Sequence, residues 1–385
     1  MTGTALDADQ IFDRTCTDNG LEADDDPGLR KRFADLIGSF NDTGRLDERD
    51  EPRALAQLAQ ILTTRLQLNR DWAQHPEIAD EHIERPFFVV GAARTGTTIM
   101  QALLALGDGC RTPLSWEVRH PSPPPGLACE TEPPRIAAEH AYIQDMLNLA
   151  PGFLLSHPYI DQGAFMECED EDIFALDFHT AFPYHYTRVP VAPMVNFRPT
   201  GLVEALQFHQ RFLRHLQWKR PTRHWVCKSP QHYFELPSTF AVYPDATAVW
   251  THRDPVTFIA SVLGIMEHFY YPHSGQRLRD HAHQIVDGLQ RGYQAVLAGD
   301  WVDDERIVHV RFDDFVTDQL GTIRRIYDRR GQTVSDAYAA RITAWLADPR
   351  NRGDRHGKFD YSLEQFGLDP DDIRARFAGY YAKFL

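Results

Sequence analysis

Short runs of apolar, β-branched and aromatic residues alternate with longer stretches of helical spacing between about residues 86 and 315. Runs of this kind, bounded by turn-forming residues or by a helix, are typical of strands buried in a parallel sheet. Strands separated by helices are joined by crossover connections, which place helices on both faces of the sheet. The pattern therefore predicts an α/β, three-layer fold around a central parallel sheet of about five strands. The candidate strands are Phe87–Val90, Leu114–Val118, Trp225–Lys228, Ala246–His252 and Arg306–Phe312.

The N-terminal part of the chain has a different pattern. From about residue 6 to 80, apolar positions recur at intervals of three and four, as at Leu55, Leu58 and Leu62, without strand-like alternation. We therefore expect a helical extension over residues 1–85, packed on an α/β domain that spans residues 86–385.

Two segments interrupt the α/β pattern. The first, between Pro121 and Pro134, is dense in proline and cannot form a regular helix or a central strand. The second, residues 153–197, concentrates aromatic side chains. Packing in the core explains such a cluster, but a wall of an acceptor pocket explains it equally well. Residues 120–200 are thus a candidate acceptor-binding insertion. The aromatic residues are Phe153, Tyr159, Phe165, Phe174, Phe178, Phe182, Tyr184, Tyr186 and Phe197.

The C-terminal region combines a basic loop with a helix. Residues 350–358 carry four basic side chains besides a histidine, in a protein whose net charge is −15. Asp369 and Pro370 then form a helix start signal, and Phe377 and Tyr380 belong to the apolar face that follows. This pattern predicts a capped C-terminal helix docked on the core.

Composition narrows the possible partners. A net charge of −15 over 385 residues argues against general binding to nucleic acid or to an anionic membrane. An anionic ligand must therefore meet a local basic pocket. The N-terminus lacks a basic region followed by an apolar run, and no later run is long enough to span a bilayer, so we expect a cytoplasmic location.

Cysteine usage gives no sign of a disulfide framework or of a zinc site. The five cysteines are odd in number and lack C-x-x-C pairing. We expect free thiols that are mostly buried. The residues are Cys16, Cys110, Cys129, Cys168 and Cys227.

A glycine-framed loop runs from Gly91 to Thr98, directly after the first candidate strand. A buried strand, a tight turn and a helix N-terminus direct several backbone N–H groups at one point, as in phosphate-binding loops. An ATPase loop has lysine after the second glycine, whereas this chain has Thr97 there, and the fixed cation of its loop is Arg94. The loop makes the predicted fold P-loop-like, and it favours an anion other than ATP. The alternative is a strand–turn–helix corner without a ligand.

A second motif ends the fourth candidate strand. There Arg253 precedes Asp254-Pro255, a helix start signal, and so is expected at the ligand-binding rim of the sheet. Ser261 follows Arg253 by eight residues, about two helical turns, and its hydroxyl could share an anion with the guanidinium. The alternative is a structural arginine paired with Asp254 beside a solvated serine.

Together the two motifs resemble the sulfotransferases that use 3′-phosphoadenosine 5′-phosphosulfate. That resemblance extends over about residues 86–320, and Trp116-Glu117 and Lys228-Ser229-Pro230 are similar to motifs of bacterial, especially actinobacterial, members. It implies that one loop grips the 5′-phosphosulfate, that an arginine and a serine grip the 3′-phosphate, and that the closing basic loop clamps it. No metal is implied. The implied donor-binding residues are Gly91, Ala93, Arg94, Thr95, Gly96, Thr97, Thr98, Arg253, Ser261, Arg352, Arg355 and Lys358.

The chain departs from the family pattern where phenol and steroid sulfotransferases have their base. Those enzymes carry Lys-Thr-His at a strand end, and this chain has Lys228-Ser229-Pro230. Arg94 and Lys228 are the expected cations for the sulfuryl group. Glu117, expected at the end of the second strand, is the first candidate base, although a structural ion pair also explains it. His232 is the second candidate, and His120 and Glu167 follow.

The predicted function is transfer of a sulfuryl group to a hydroxyl or amine of a small-molecule, lipid or carbohydrate acceptor. The alternatives are a P-loop nucleotide kinase or nucleotidase, and a catalytically inactive nucleotide-binding protein. The missing lysine after Gly96 and the lack of a clear metal-holding aspartate at a strand end disfavour the kinase. We expect no nucleic-acid partner and no stable membrane insertion.

Overall fold

A five-stranded parallel sheet organises the molecule. The computed structural model describes residues 5–22, 27–43, 51–127, 132–180, 201–230, 232–274 and 277–385. Its strand order is β2-β3-β1-β4-β5, and all four pairings are parallel. The predicted α/β fold is confirmed. The strands are β1 (Phe87–Val90), β2 (Cys110–Arg111), β3 (His224–Ser229), β4 (Thr247–His252) and β5 (Ile307–Arg311).

The pairing of the central strand, β1, shows where the carboxyl ends of its neighbours lie. Val90 pairs with Ser229 of β3 on one side and with Trp250 of β4 on the other. The segments that follow these three strands therefore leave the sheet at the same edge. In an open α/β sheet this edge is where ligands bind.

Helices cover both faces of the sheet. They are α1 (Ala8–Asn19), α2 (Pro27–Thr43), α3 (Glu51–Gln74), α4 (Thr97–Ala105), α5 (Ser115–Arg119), α6 (Glu132–Leu149), α7 (Phe153–Ser156), α8 (Asp170–Leu176), α9 (Leu202–Gln217), α10 (Leu236–Val242), α11 (Pro255–Ser274), α12 (Ala282–Ala298), α13 (Phe312–Thr317), α14 (Gln319–Arg329), α15 (Asp336–Ala347), α16 (Pro370–Arg376) and α17 (Ala378–Phe384). Short 3-10 helices lie at Pro76–Asp80, Pro158–Phe165, His232–Phe234, Leu278–His281, Pro349–Asn351 and Glu364–Phe366.

The alternating side chains of β1 feed two cores. Phe87 and Val89 belong to a cluster shared with α4, α14 and α15, whereas Phe88 and Val90 belong to a larger cluster on the opposite face. Phe33 of α2 lies in that larger cluster, as do other residues of α1, α2 and α3. The described N-terminal helices thus share one core with the sheet.

The predicted strand Leu114–Val118 is wrong. Residues Ser115–Arg119 form the short helix α5, and the strand beside β3 is the earlier pair Cys110–Arg111. The Glu117 side chain accepts a hydrogen bond from the Leu114 N–H, a bond within one turn that an extended strand does not make. Both Trp116 and Val118 are buried, so the apolar content that suggested a strand is used by a helix instead.

Three other expectations concern membrane spans, the cysteines and the two segments that interrupt the α/β pattern. None of the described helices combines the length and the apolar composition needed to cross a membrane. The cysteines within the described ranges are free thiols, and three of them are buried. Cys129 lies outside the described residues, as do residues 128–131 of the proline-dense segment and residues 181–200 of the aromatic segment.

Candidate active site

The loop between β1 and α4 is fixed against β4. Gly91 has a φ of 134°, and a Cβ atom there would lie 2.5 Å from the Thr251 carbonyl oxygen. Only glycine fits this close approach with this backbone conformation. The Thr95 hydroxyl is bonded to the Ala92 carbonyl oxygen and lies 2.6 Å from the Thr251 hydroxyl. The backbone path of the loop therefore requires glycine at position 91, and the Thr95 hydroxyl holds the loop in place.

The N-terminus of α4 is open to a ligand. Gly96 precedes the helix with a φ of 93°, and no side chain caps the first turn. The amides of that first turn have no partner within the helix, and the helix dipole adds partial positive charge at this end. A helix N-terminus in this arrangement binds anions.

Arg94 connects the two sequence motifs. Its Nε donates to the Ser261 hydroxyl at 3.0 Å, and Arg253 Nη1 donates to the Arg94 carbonyl oxygen at 2.9 Å. Residues about 160 positions apart in the chain thus meet at the carboxyl edge of the sheet. The two arginines and the serine lie together as the sequence predicted.

The positive charge at this point lacks a counter-charge within the described ranges. Burial lowers the pKa of Arg94, and the nearby Arg253 lowers it further. The hydrogen-bond acceptors of the two guanidinium groups are the neutral Ser261 hydroxyl and a backbone carbonyl. Two buried or half-buried cations with neutral partners favour an anionic ligand.

Lys228, at the carboxyl end of β3, extends the basic site toward a group of carboxylates. Its Nζ donates to the Thr98 hydroxyl at 3.2 Å and lies 3.1 Å from Glu169 Oε1. The Lys228 side chain is only 2% exposed, so the ion pair with Glu169 compensates a buried charge. Glu169 was not recognised from the sequence, because it lies in an acidic run that resembles a solvated surface.

A second carboxylate, that of Glu167, lies in the electrostatic field of Lys228. Burial raises the pKa of Glu167 to about 7, although the Lys228 charge lowers it. Glu167 also forms a bridge with Leu114, three residues beyond the end of β2, and keeps part of its surface exposed. A carboxylate that titrates near neutral pH beside a lysine has the properties of a general base.

Glu117 has a different environment. Its carboxylate is ion-paired with Arg111 and accepts the Leu114 N–H, and it is 1% exposed. Arg111 pairs in register with Trp225, three residues before Lys228, which puts Arg111 about 10 Å further down the sheet. The structure thus joins Glu117 to an arginine and not to the lysine.

His232 and His120 are likewise held by interactions of their own. His232 is buried behind β3, stacked on Phe174 at 5.3 Å, and its Nδ1 lies 3.7 Å from Asp170 Oδ2. His120 Nε2 lies 3.5 Å from the buried carboxylate of Glu139. His157, in contrast, is close to the basic site: burial, followed by the charges of Lys228 and Arg94, lowers its pKa to about 3.

Among the residues that the structure describes, one buried group of side chains could hold a metal ion. Donor atoms of Asp170, His209 and Cys227 lie within 4.8 Å of one another. His209 already bonds to the Tyr243 hydroxyl at 2.7 Å and lies 3.2 Å from Asp170. The Tyr243 bond fixes the orientation of the His209 ring, whereas its buried Nε2 makes no hydrogen bond to a described residue.

The closing basic loop, residues 350–358, is followed directly by an aromatic residue that lies at the site. Phe359 lies against Arg94, with 5.9 Å from the guanidinium carbon to the ring centre. Arg355 is paired with Asp161 and with the Pro158 carbonyl oxygen, whereas Arg352 and Lys358 are exposed. The loop is therefore adjacent to the anion site, and Arg355 attaches it to the 3-10 helix Pro158–Phe165.

The comparisons with known proteins identify the family of the chain. Residues 86–336 match the model of a family described as the sulfotransferase family. The chain belongs to the sulfotransferase family. It is therefore a transferase of sulfuryl groups, and the nucleotide kinase and the inactive binding protein are not favoured.

Several relatives of this sulfotransferase are mycobacterial. The omega-hydroxy-beta-dihydromenaquinone-9 sulfotransferases of Mycobacterium bovis and Mycobacterium tuberculosis are 26% identical, over 68% of this chain and 67% of theirs. The solved structure of sulfotransferase STF1 from M. tuberculosis is 25% identical, with a TM-score of 0.79 over 98% of this chain and 100% of its own. Sulfotransferase STF9 from Mycobacterium avium is 25% identical, with a TM-score of 0.83 over 100% and 98%. The predicted bacterial type of sulfotransferase is confirmed.

Proposed function

We propose that this sulfotransferase moves the sulfuryl group of 3′-phosphoadenosine 5′-phosphosulfate to an alcohol, with Glu167 as the general base. The observation that carries the proposal is the meeting of Arg94, Arg253 and Ser261 at the open N-terminus of α4. A donor with a 5′-phosphosulfate and a 3′-phosphate supplies two anions for this cationic site.

The donor's two anionic groups have separate partners in this proposal. The loop amides from Gly91 to Gly96 and the Thr97 and Thr98 hydroxyls hold the 5′-phosphosulfate, while Arg253 and Ser261 hold the 3′-phosphate. The Arg94–Ser261 bond supports this division, because it joins the loop proposed for the 5′-phosphosulfate to a residue proposed for the 3′-phosphate. Arg352, Arg355 and Lys358 remain candidates for the outer part of the 3′-phosphate site.

Lys228 and Arg94 neutralise charge in the transfer step. Sulfuryl transfer resembles phosphoryl transfer, with a loose in-line transition state in which positioning and charge stabilisation supply most of the rate. The S–O bond to the donor phosphate breaks as the acceptor oxygen bonds to sulfur. Lys228 can neutralise the negative charge that develops on the bridging oxygen, since its ammonium lies 3.2 Å from the Thr98 hydroxyl at the end of the donor-binding loop.

Glu167 takes the proton of the acceptor hydroxyl. A base with a pKa of about 7 is ionised in half of the molecules at neutral pH and is strong enough to assist an alcohol. Glu169 holds Lys228 by its ion pair. Glu117, the first candidate from the sequence, we now assign to a structural ion pair with Arg111, because that pairing directs its charge away from Lys228.

The acceptor is proposed to be an amphipathic or lipid alcohol. The mycobacterial relatives are named for a hydroxylated menaquinone, and Phe153 stacks on His157 at 5.4 Å beside the cationic site. A neutral histidine and an aromatic wall favour an apolar body behind the reacting hydroxyl.

Transfer of radiolabelled sulfate tests the function. We expect the wild-type protein to label an isoprenoid alcohol from labelled donor, and to release adenosine 3′,5′-bisphosphate in equal amount. Glu167→Gln should abolish most labelling while Glu117→Gln, the matched control, retains it in the folded protein. Labelling that is lost in Glu117→Gln and kept in Glu167→Gln would return the base to Glu117.

A further inference from the structure

The corner that carries Arg253 is held by the last helix of the chain. Tyr380 of α17 accepts a hydrogen bond from the Arg253 N–H at 3.3 Å. The next residue, Tyr381, donates its hydroxyl proton to Asp254 Oδ1 at 2.6 Å. The same Asp254 oxygen accepts the Val256 N–H at 2.8 Å, which caps the start of α11. Two consecutive tyrosines thus bond two consecutive residues of the arginine motif.

The direction of each bond follows from a relay behind Tyr380. His309 Nε2 lies 3.0 Å from the Val302 carbonyl oxygen, which only accepts, so this nitrogen carries the proton. Burial lowers the pKa of both His309 and His252, so both rings are neutral near neutral pH. His309 Nδ1 is then an acceptor, and His252 Nε2, 2.8 Å away, donates to it.

The remaining nitrogen of His252 fixes the Tyr380 hydroxyl. His252 Nδ1 must accept, and the Tyr380 hydroxyl, 3.3 Å away, donates to it. The Tyr380 oxygen is thereby left with its lone pairs toward the Arg253 N–H. One directed chain of hydrogen bonds therefore runs from β5 through β4 to the backbone of Arg253.

The surroundings give this relay little freedom to rearrange. His252 and Tyr380 are 0% and 1% exposed. Phe384 of α17 stacks on His252 with 4.2 Å between ring centres. Water has no access to replace a lost bond there, so the orientation of the Tyr380 hydroxyl is set by the fold.

We infer that Tyr380 and Tyr381 are positioning residues for 3′-phosphate recognition, and that they set the preference for a donor with that phosphate over one without it. This inference rests on the proposed donor site, since the tyrosines act through Arg253 and the start of α11, where Ser261 lies. Each hydroxyl is bonded to the Arg253–Asp254 corner and acts through it. Misplacement of the Arg253–Asp254 corner weakens the 3′-phosphate contacts, while the Thr95–Thr251 contact continues to hold the loop Gly91–Gly96 against β4.

The test compares two nucleotides that differ in the 3′-phosphate. Calorimetry on the full chain gives the Kd of adenosine 3′,5′-bisphosphate and of 5′-AMP for wild type, Tyr380→Phe, Tyr381→Phe and the double variant. We expect the bisphosphate to bind on the order of tenfold more weakly to the double variant, with 5′-AMP binding unchanged. In turnover, KM for the sulfated donor should rise while kcat stays near that of wild type.

Tyr338→Phe is the matched control. Tyr338 is also 1% exposed, and its hydroxyl donates to the Leu103 carbonyl oxygen at 2.8 Å, in the cluster on the other face of the sheet. We expect it to lower the melting temperature without changing the ratio of the two nucleotide affinities. Tyr381 is partly exposed, so Tyr381→Phe tests the inference even if Tyr380→Phe folds poorly.

The two proposals fail in different ways. A wild-type protein that does not bind the bisphosphate overturns the proposed donor and this inference with it. Tight binding by wild type, with the same affinity ratio in Tyr381→Phe and the double variant, overturns the inference alone.

Discussion

Two pairs of arginines in this sulfotransferase illustrate opposite uses of the same side chain. Arg32 and Arg65 of the N-terminal helices converge on Asp177, with N–O distances of 2.6 and 2.5 Å. Arg94 and Arg253 converge at the carboxyl edge of the sheet, where their acceptors are neutral oxygens. The fold neutralises the first pair, and we propose that an anionic ligand neutralises the second.

The effect on neighbouring groups shows the difference. Burial alone would raise the pKa of Asp177, but Arg65, a hydrogen bond from His179 and Arg32 together lower it. At the second site no carboxylate of the described residues pairs with Arg94, and burial lowers the pKa of Arg94. The same contrast separates Glu117, ion-paired with Arg111, from Glu167, whose pKa is raised to about 7. The paired charges of this comparison are structural, and the unpaired ones belong to the proposed reaction site, where Lys228 keeps an ion pair with Glu169.

The largest expected effect comes from the unpaired arginine. Arg94→Ala should lower kcat/KM for the sulfated donor by about 10³-fold, because the transition-state charge loses a preorganised cation. The melting temperature without nucleotide should stay the same or rise, since a buried charge without a counter-charge is removed. Steady-state kinetics and thermal unfolding measure the two quantities. A strong loss of stability would mean that Arg94 is structural like Arg65.

The carboxylates should divide into a reactive one, Glu167, and a structural one, Glu117. Glu167→Gln should lower kcat by about 10²-fold or more, because general-base assistance is lost. The wild-type rate should increase as pH rises through about 7, where the Glu167 carboxyl loses its proton and can act as a base.

Glu117→Gln serves as the control for that experiment. It should leave the pH profile unchanged and destabilise the protein by leaving Arg111 without its counter-charge. A pH profile that keeps its midpoint in Glu167→Gln contradicts the assignment of the base.

The paired arginines should affect stability only. Asp177→Asn should lower the free energy of unfolding by about 3–5 kcal/mol, because two arginines then lack their counter-charge. The exposed pair Lys31–Asp35 is the control, and Lys31→Ala should change stability by less than about 1 kcal/mol. Urea titrations measure both. Loss of donor binding in a folded Asp177→Asn protein would show that this ion-paired region also supports the active site.

Nucleotide binding should stabilise the protein at the unpaired site. Adenosine 3′,5′-bisphosphate at 100 times its Kd should add about 2.7 kcal/mol to the free energy of unfolding without added metal, and Arg253→Ala should remove most of this effect. ATP with Mg²⁺ should add little. The opposite ranking of the two nucleotides would contradict the donor assignment.

The smallest expected effect is that of chelation. Prolonged dialysis against EDTA should leave the melting temperature and the rate unchanged, because Tyr243 already occupies His209 Nδ1 and the Asp170 carboxylate lies 3.2 Å from His209 Nε2. Elemental analysis of the purified protein checks this directly. A stoichiometric metal that disappears in Cys227→Ser would assign a metal site to Asp170, His209 and Cys227.

Much of the fold followed from short-range patterns. The apolar run Phe87–Val90 predicted the central strand, and the strands at β3, β4 and β5 were found to within one or two residues. The segment Leu114–Val118 failed because apolar content alone does not distinguish a short buried helix from a strand. There the decisive signal was the bond from the Leu114 N–H to the Glu117 side chain, which becomes visible only once the turn has formed.

The anion site could be predicted because its chemistry is encoded locally. Gly91, Gly96 and Arg94 lie within one loop, and the spacing of Arg253 and Ser261 is that of one helix face. The carboxylate beside Lys228 could not be chosen in this way, since Glu117, Glu167 and Glu169 differ in what surrounds them and not in type. Tyr380 was recognised only as part of an apolar helix face, because its partner Arg253 lies 127 residues earlier.

The sequence by itself determined the backbone path of the donor loop, the strand–helix alternation and the positions of the cations, because each depends on residues within a few turns of one another. Only the tertiary structure decided which charges have partners. Pairing is a matter of distances across the fold, as between Arg65 and Asp177, and burial then sets whether a carboxyl such as Glu167 is ionised at neutral pH. Spacing along the sequence gives neither the distances between charged groups nor their burial. Both are set when the helices pack on the sheet, and they decide whether a charge is structural or reactive.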